Sequence, residues 1–481
     1  MHAANARSIP VKFAGCLALT ALADLFFHDV APGAVIGLFA AALLGLALAL
    51  EPGIIRATAA KFIFTALAGL VIALMYSPDP LALWCFAGGL ATLLILQKRV
   101  PGNAVLWAKD VLRLASRAPF QWFRDMRRID RVTLRRRFGR KSVLVYAVLP
   151  VILTCVFLWL FTQANPVIAQ ALSRIDWQSW FGGFFDTGRW ALWGVTAAGV
   201  WAVLRPRFRL SKPVTASLSS VNTGRSVSRN SLVLSLVVFN LLFAVQNGFD
   251  LAFLWTGQGV LPGGVTFAEY AHAGAYPLIV TTLLAGGYVL VTFDAAQVAL
   301  RSTAATALVT GWVLQNVFLV ASSIDRTLNY VAVYSLTYLR VAALIWMSLV
   351  ALGLLLILAR IFLNRSNMWL INVNAAVLAA VLYCCCFADF GQFIADYNVR
   401  HAREVPVHAE GAADLDIDYL QEIGPAALPA LRWYIDAIPD SYSRDAAIHA
   451  AESLGRRLER DVTDWRRWTL REQKIILSHG S

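Results

Sequence analysis

Runs of apolar side chains recur along this chain at lengths that suit helices crossing a bilayer, about 20 residues for roughly 30 Å of hydrocarbon. They predict eleven spans, near residues 13–28, 33–50, 62–76, 81–96, 143–163, 188–204, 231–255, 276–293, 302–322, 341–363 and 368–390. Backbone polar groups in hydrocarbon must be satisfied internally, so each run is read as a helix. The third and fourth, "FIFTALAGLVIALMY" and "LALWCFAGGLATLLIL", are short and joined only by "SPDP", which suits a tight hairpin or a shallow pair. The pattern after residue 390 changes. Ala447, Ala450, Ala451, Leu454 and Leu458 recur at three- and four-residue steps, the mark of a helix with one apolar face. Pro425, Pro429 and Pro439 divide that region into short helices. The predicted fold is an all-α polytopic integral membrane protein with a small helical extracytoplasmic C-terminal domain. Its regions are an N-terminal transmembrane block (1–96), a basic segment (97–142), a main transmembrane domain (143–390) and a helical tail (391–481).

Composition agrees with this pattern. The 481 residues are 58% hydrophobic and 15% charged, with a mean hydropathy of +0.62, too apolar for a soluble chain of this length. The 42 basic and 29 acidic residues leave +13, and the excess is concentrated in the segments 97–142 and 205–230. Positive loops stay in the cytoplasm, so both should be inside. An odd span count then puts the N-terminus in the cytoplasm and the C-terminus outside, in a bacterial inner membrane. "KDVLRLASRAPFQWFRDMRRIDRVTLRRRFGRK" mixes Leu, Phe and Trp with Arg, as a surface helix does against anionic lipid headgroups. Lipid is thus the expected partner there, and nucleic acid is not. Arg7, Lys12 and the "ALA" at 21–23 imitate a cleavable signal, but the apolar run continues into a first span, so retention is expected. All six cysteines fall inside apolar spans, which excludes an exported disulfide scaffold. Cys384, Cys385 and Cys386 point in three directions about 100° apart on a helix and cannot converge on one metal.

Polar groups within the spans carry the candidate chemistry. Asn240, Gln246, Asn247 and Asp250 fall on one face of the seventh span, and such a stripe should face other helices or a watery cavity. "SSIDRTLNYVAVYSLTYLR", read as one helix, aligns Arg326, Tyr330, Tyr334, Thr337 and Arg340, two cations and two phenols suited to an anion or to the interface. In "TFAEYAHAGAYPL", Thr266 and Glu269 form a capping-box pattern, and Glu269 is a candidate partner for Arg326 or Arg340. His272 has no partner at metal-ligand spacing. Trp177, Trp180, Phe181, Phe184, Phe185 and Trp190 read as an interfacial aromatic group. "DLDID" has the alternating acids of a calcium loop, but Tyr419 and Pro425 stand where glycine and glutamate are needed. No metal site and no cofactor motif is found.

Four elements in order, "NLLFAVQNGFDLAFLW", "TFAEYAHAGAYPL", "RTLNYVAVYSLTYLR" and "LDIDYLQEIGPAALPAL", resemble a family of bacterial multispan membrane proteins catalogued only as a domain of unknown function (family forty-one seventy-three). The resemblance covers roughly residues 230–435 and implies Gln246, Glu269, Tyr270, Tyr334, Thr337, Arg340, Asp418 and Tyr419 as signature positions. The chain departs from it at His272, Ala273 and Pro277, and Ser335 replaces an expected glycine. No activity comes with the resemblance. Three functions stay open: a sensory or scaffold component of the envelope with a protein partner for the tail, a transporter with a path along Asn240–Asp250, and a membrane enzyme using Glu269 with Arg326 and Arg340. No Walker loop, H-E-x-x-H or G-x-S-x-G motif supports the enzyme.

Overall fold

The computed structural model describes residues 2–129, 186–206, 210, 229–252, 303–405, 414–439 and 442–478. The expected spans at 143–163 and 276–293 lie outside these residues, as do Glu269, Tyr270 and His272. Regular structure among the described residues is helical throughout. The chain divides into two units, Met1–Pro101 with Leu106–Ser211, and Gly102–Val105 with Lys212–Ser481.

The first unit contains α1 (His2–Phe27), α2 (Val35–Leu50), α3 (Thr58–Tyr76), α4 (Pro80–Leu96), most of α5 (Ala104–Ile129) and α6 (Thr187–Leu204). Asp79 caps α4, accepting the Leu81 N–H at 3.1 Å, with Pro80 in the first turn where its missing N–H costs nothing. α2 and α3 touch at Gly37, where any Cβ would lie 2.8 Å from the Val71 carbonyl oxygen, so glycine sets that approach. Lys12 and Glu51 pair at 2.7 Å, and Arg189 holds Asp24 through two hydrogen bonds of 2.8 and 2.6 Å.

α5 is amphipathic in an unusual sense: its acids face inward. Asp110 and Asp125 are buried and paired with Arg99 at 2.8 Å and Arg205 at 3.2 Å. Its exposed side carries Lys109, Arg113 and Arg124 beside Leu112 and Phe120.

In the second unit, α7 (Arg229–Asp250), α8 (Thr303–Tyr334), α9 (Tyr338–Phe362) and α10 (Asn367–Cys385) pack around Leu236, Trp312, Val313, Met347, Leu354 and Leu370. Ser366 caps α10 by accepting the Trp369 N–H at 3.1 Å. The tail follows as α11 (Phe390–Arg400), α12 (Ile417–Ile423), α13 (Leu428–Ala437), α14 (Tyr442–Thr463) and α15 (Leu470–Leu477). Ala395, Leu420, Leu428, Leu431, Tyr434, Ala447, Ala450, Leu454 and Leu458 bury one core there, and Ala451 packs at its edge. Asp416 of the "DLDID" run caps α12, accepting the Tyr419 N–H at 2.9 Å. Thr469 and Glu472 cap α15 within the core, and burial raises the Glu472 carboxyl above its ordinary range.

Among the described residues, six segments are long and apolar enough to cross a membrane: Pro10–Phe27, Thr58–Tyr76, Val233–Asp250, Thr306–Tyr334, Tyr338–Phe362 and Asn367–Cys385. The protein is therefore an all-helical polytopic membrane protein. Val35–Leu50 and Pro80–Leu96 are apolar but shorter. The expected span 188–204 forms α6, yet Arg189 in its first turn and Trp190, Trp193 and Trp201 make it too polar for that group. The expected span 302–322 is longer in the structure, because α8 runs on for 32 residues, about 48 Å at the helical rise.

Candidate functional site

α7 and α8 join through a seam of polar side chains. Asn240 donates to the Leu308 carbonyl at 3.0 Å and accepts from Gln315 at 3.1 Å, while Asn247 donates to the Gln315 carbonyl at 3.1 Å. Asp250 accepts from Gln246 at 3.1 Å and pairs with Arg326. The partners lie 68, 75, 68 and 76 positions apart, a nearly constant offset that means the two helices run parallel. The seam exists because the opposite side of α7, with Leu241, Leu242, Val245 and Phe249, is exposed apolar surface suited to lipid. Asp250 and Arg326 are 0% and 6% exposed, so each charge is compensated by the other inside the bundle.

Two turns further along, the chain breaks. The arc drawn through Arg326, Tyr330, Tyr334, Thr337 and Arg340 as one helix is interrupted after Tyr334: Ser335 takes the left-handed conformation, φ 66°. Thr337 then caps α9, its hydroxyl accepting the Arg340 N–H at 3.4 Å. The Arg340 guanidinium reaches back to the carbonyls of Tyr334 and Ser335 and lies 4.5 Å over the Tyr330 ring. Arg340 thus gives its N–H to the cap of the new helix and its side chain to the end of the old one, placing its positive charge at the negative end of the α8 dipole.

The C-terminal domain completes the junction. The Asn398 side chain donates to the Leu336 carbonyl at 2.9 Å and accepts the Leu336 N–H at 2.7 Å, as a neighbouring strand would. The Tyr419 hydroxyl accepts the Tyr338 N–H at 3.0 Å. Leu336 is 4% exposed and packs with Val331, Ile394, Phe390, Tyr397 and Ile423. An added Cβ on Gly391 would lie 2.7 Å from the Tyr338 hydroxyl, so α11 approaches closest at a glycine.

Gln246, Asn240, Asn247, Asp250 and Arg326 therefore share the seam, and Tyr334, Thr337, Arg340 and Tyr419 share the break. Asp418 stands in the first turn of α12, where the dipole favours an acid. Arg326 and Arg340 do not form one anion-facing pair: the first is paired with Asp250, and the second is bound to the backbone carbonyls of Tyr334 and Ser335. Sequence reasoning missed Gln315, Asn316 and Asn398, although amides inside or beside apolar spans are themselves a signal.

This coincidence of the break with the recurring elements bears on kinship. A family model described as a domain of unknown function, DUF4153, matches residues 14–433. The chain belongs to that family. Its number is 4153, where the sequence resemblance put forty-one seventy-three. No curated protein and no solved structure matches. The DUF4153 match runs from α1 through the docked part of the tail to α13 and stops before α14 and α15. The Tyr-x-x-Thr-x-x-Arg element of this DUF4153 chain has a mechanical content: a helix end, a cap and a cap-closing arginine. Gly would suit position 335 because that residue is left-handed, and this chain carries serine there.

Proposed function

We propose that the protein is a sensory or scaffold component of the bacterial envelope, seated in the inner membrane, in which the C-terminal helical domain receives a protein partner and passes its movement to α8 and α9. The observation carrying this reading is the direct bonding of Asn398 and Tyr419 to the backbone at which two long apolar helices meet. A displacement of that domain strains the end of α8 and the start of α9 together. The charged groups also favour a mechanical role over catalysis, since Asp250 holds Arg326 and Arg340 holds two carbonyls rather than meeting at one site.

Orientation follows from basic residues at helix ends. Arg229 opens α7, and Arg360 and Arg365 lie where α9 ends, so these ends are cytoplasmic and the break with its docked domain is outside. In this reading the N-terminus is cytoplasmic and the spans number eleven. α5 then lies on the cytoplasmic face. Because its acids are turned inward, the exposed Lys109, Arg113, Arg124, Leu112 and Phe120 offer anionic headgroups positive charge and apolar surface without competing acids.

A second reading, a transporter with a path along the seam, has one observation in its favour: among the described residues, the buried side-chain oxygens of Asn247, Gln315 and Asn316 accept no hydrogen bond. Complementation of a deletion strain separates the two. If the protein is a sensor or scaffold, Asn398→Ala inserts normally but leaves the transcript profile of the deletion uncorrected, while Gln315→Ala restores it. Full restoration by Asn398→Ala together with failure of Gln315→Ala would overturn the proposal.

A further inference from the structure

Far in sequence from the seam and the break, the turn after α1 meets the N-terminus of α6. His28, Asp29 and Asp186 come together there, with one donor atom from each within 4.8 Å of the others. His28 Nδ1 lies 3.4 Å from Asp29 Oδ1, and its Nε2 lies 3.7 Å from Asp186 Oδ2. Both separations are longer than ordinary hydrogen bonds. An ion takes only one of the two imidazole nitrogens, so binding turns the ring to give that nitrogen to the metal and draws in the two carboxylate oxygens, already within 4.8 Å of one another and of the ring donor.

Surrounding contacts prepare the cluster. Asp186 uses Oδ1 to cap α6, accepting the Gly188 N–H at 2.9 Å, which leaves Oδ2 toward the imidazole. Arg189, the neighbouring cation, is held on Asp24 by bonds of 2.8 and 2.6 Å, and Asp24 is fixed further by the Trp193 N–H at 2.9 Å. Three carboxylates, Asp24, Asp29 and Asp186, thus stand around one guanidinium, two acids in excess of the arginine. That excess calls for a divalent cation. The side chains of His28, Asp29 and Asp186 are 22%, 81% and 37% exposed, so an ion can enter from solvent and keep water in its shell.

We propose that His28, Asp29 and Asp186 bind an exchangeable divalent transition-metal ion of the zinc and manganese class, with water completing the coordination. One imidazole with two carboxylates suits borderline metals better than soft Cu(I), and the nitrogen donor disfavours calcium and magnesium. Sequence spacing hides the site, because residue 28 follows one helix and residue 186 precedes another far along the chain.

The full chain in lipid discs, stripped with a chelator, is titrated with cobalt(II) by visible absorption and with zinc by calorimetry. One saturable cobalt spectrum, displaced by zinc, is expected, with His28→Asn and Asp186→Asn each weakening binding more than tenfold. Asp186→Asn retains the helix cap, and Asp29→Asn, at an exposed position, guards against loss of folding in the other two. The proposal fails if no saturable spectrum or heat appears, if all three variants bind as the parent does, or if magnesium competes with zinc on equal terms.

Discussion

Asn398→Ala tests the junction most directly. The substitution removes one donor and one acceptor that face the Leu336 N–H and carbonyl at 2.7 and 2.9 Å, between residues only 5% and 4% exposed. A buried polar group left without a partner costs about 1–3 kcal/mol. Two such groups set a penalty of at least about 2 kcal/mol, which corresponds to roughly a 30-fold rise in local opening at 25 °C. Tyr419→Phe removes a single bond to a helix-start amide, about 0.5–1.5 kcal/mol, so its effect is smaller. Asn398→Asp keeps the acceptor for the Leu336 N–H but sets a carboxylate against the Leu336 carbonyl, and its damage eases as the pH is lowered. Hydrogen exchange of peptides spanning 334–340, followed by mass spectrometry in lipid discs, reads all three. Exchange in folded Asn398→Ala within about threefold of the parent, under 1 kcal/mol, would refute the reasoning.

Ser335→Gly relieves a non-glycine residue in the left-handed region and is expected to stabilise the protein by about 1 kcal/mol in thermal unfolding; an unchanged or lower midpoint contradicts the local geometry. Within the seam, Asp250→Leu or Arg326→Met alone leaves a buried charge uncompensated and costs about 3–5 kcal/mol, whereas the double variant recovers most of the loss; strictly additive losses would mean that the two are not partners. Glu472 has its carboxyl raised by burial from an ordinary 4.5, so the folded tail binds the proton more tightly than the unfolded one. Its contribution is full below 4.5 and is lost as the pH rises through the folded value, and Glu472→Gln should flatten that fall in hydrogen exchange over 470–477.

How much of this was legible in the sequence depends on where the partners of each residue lie. The α7 stripe was readable because four polar residues recur at helical spacing in an apolar run, which fixes a face but not what it meets. Leu308 and Gln315 belong to another helix, 68 to 75 positions away, where no local pattern reports them. The break at 335–337 was hidden because neither glycine nor proline marks it. Its available signals were the threonine three positions before an arginine and the serine where the resembling family has glycine. α6 was readable as an apolar run, but the partner of its Arg189 and Trp193 was not, because Asp24 lies 165 and 169 positions away. The tail was more legible, since Ala447, Ala450, Leu454 and Leu458 keep helical period and form its core.

The spacing of the junction has a consequence for biosynthesis. The Leu336 backbone receives its partner from a residue 62 positions later, and Tyr338 from one 81 positions later. A ribosome adds these residues at roughly 5–20 per second, so α8 and α9 exist for several seconds before Asn398 and Tyr419 are made. During that interval the pair has a provisional joint, with the bonds of Thr337 and Arg340 in place and those of Asn398 and Tyr419 still to come. Completion of the chain adds the bonds that close it, and a product truncated before residue 398 lacks all of them.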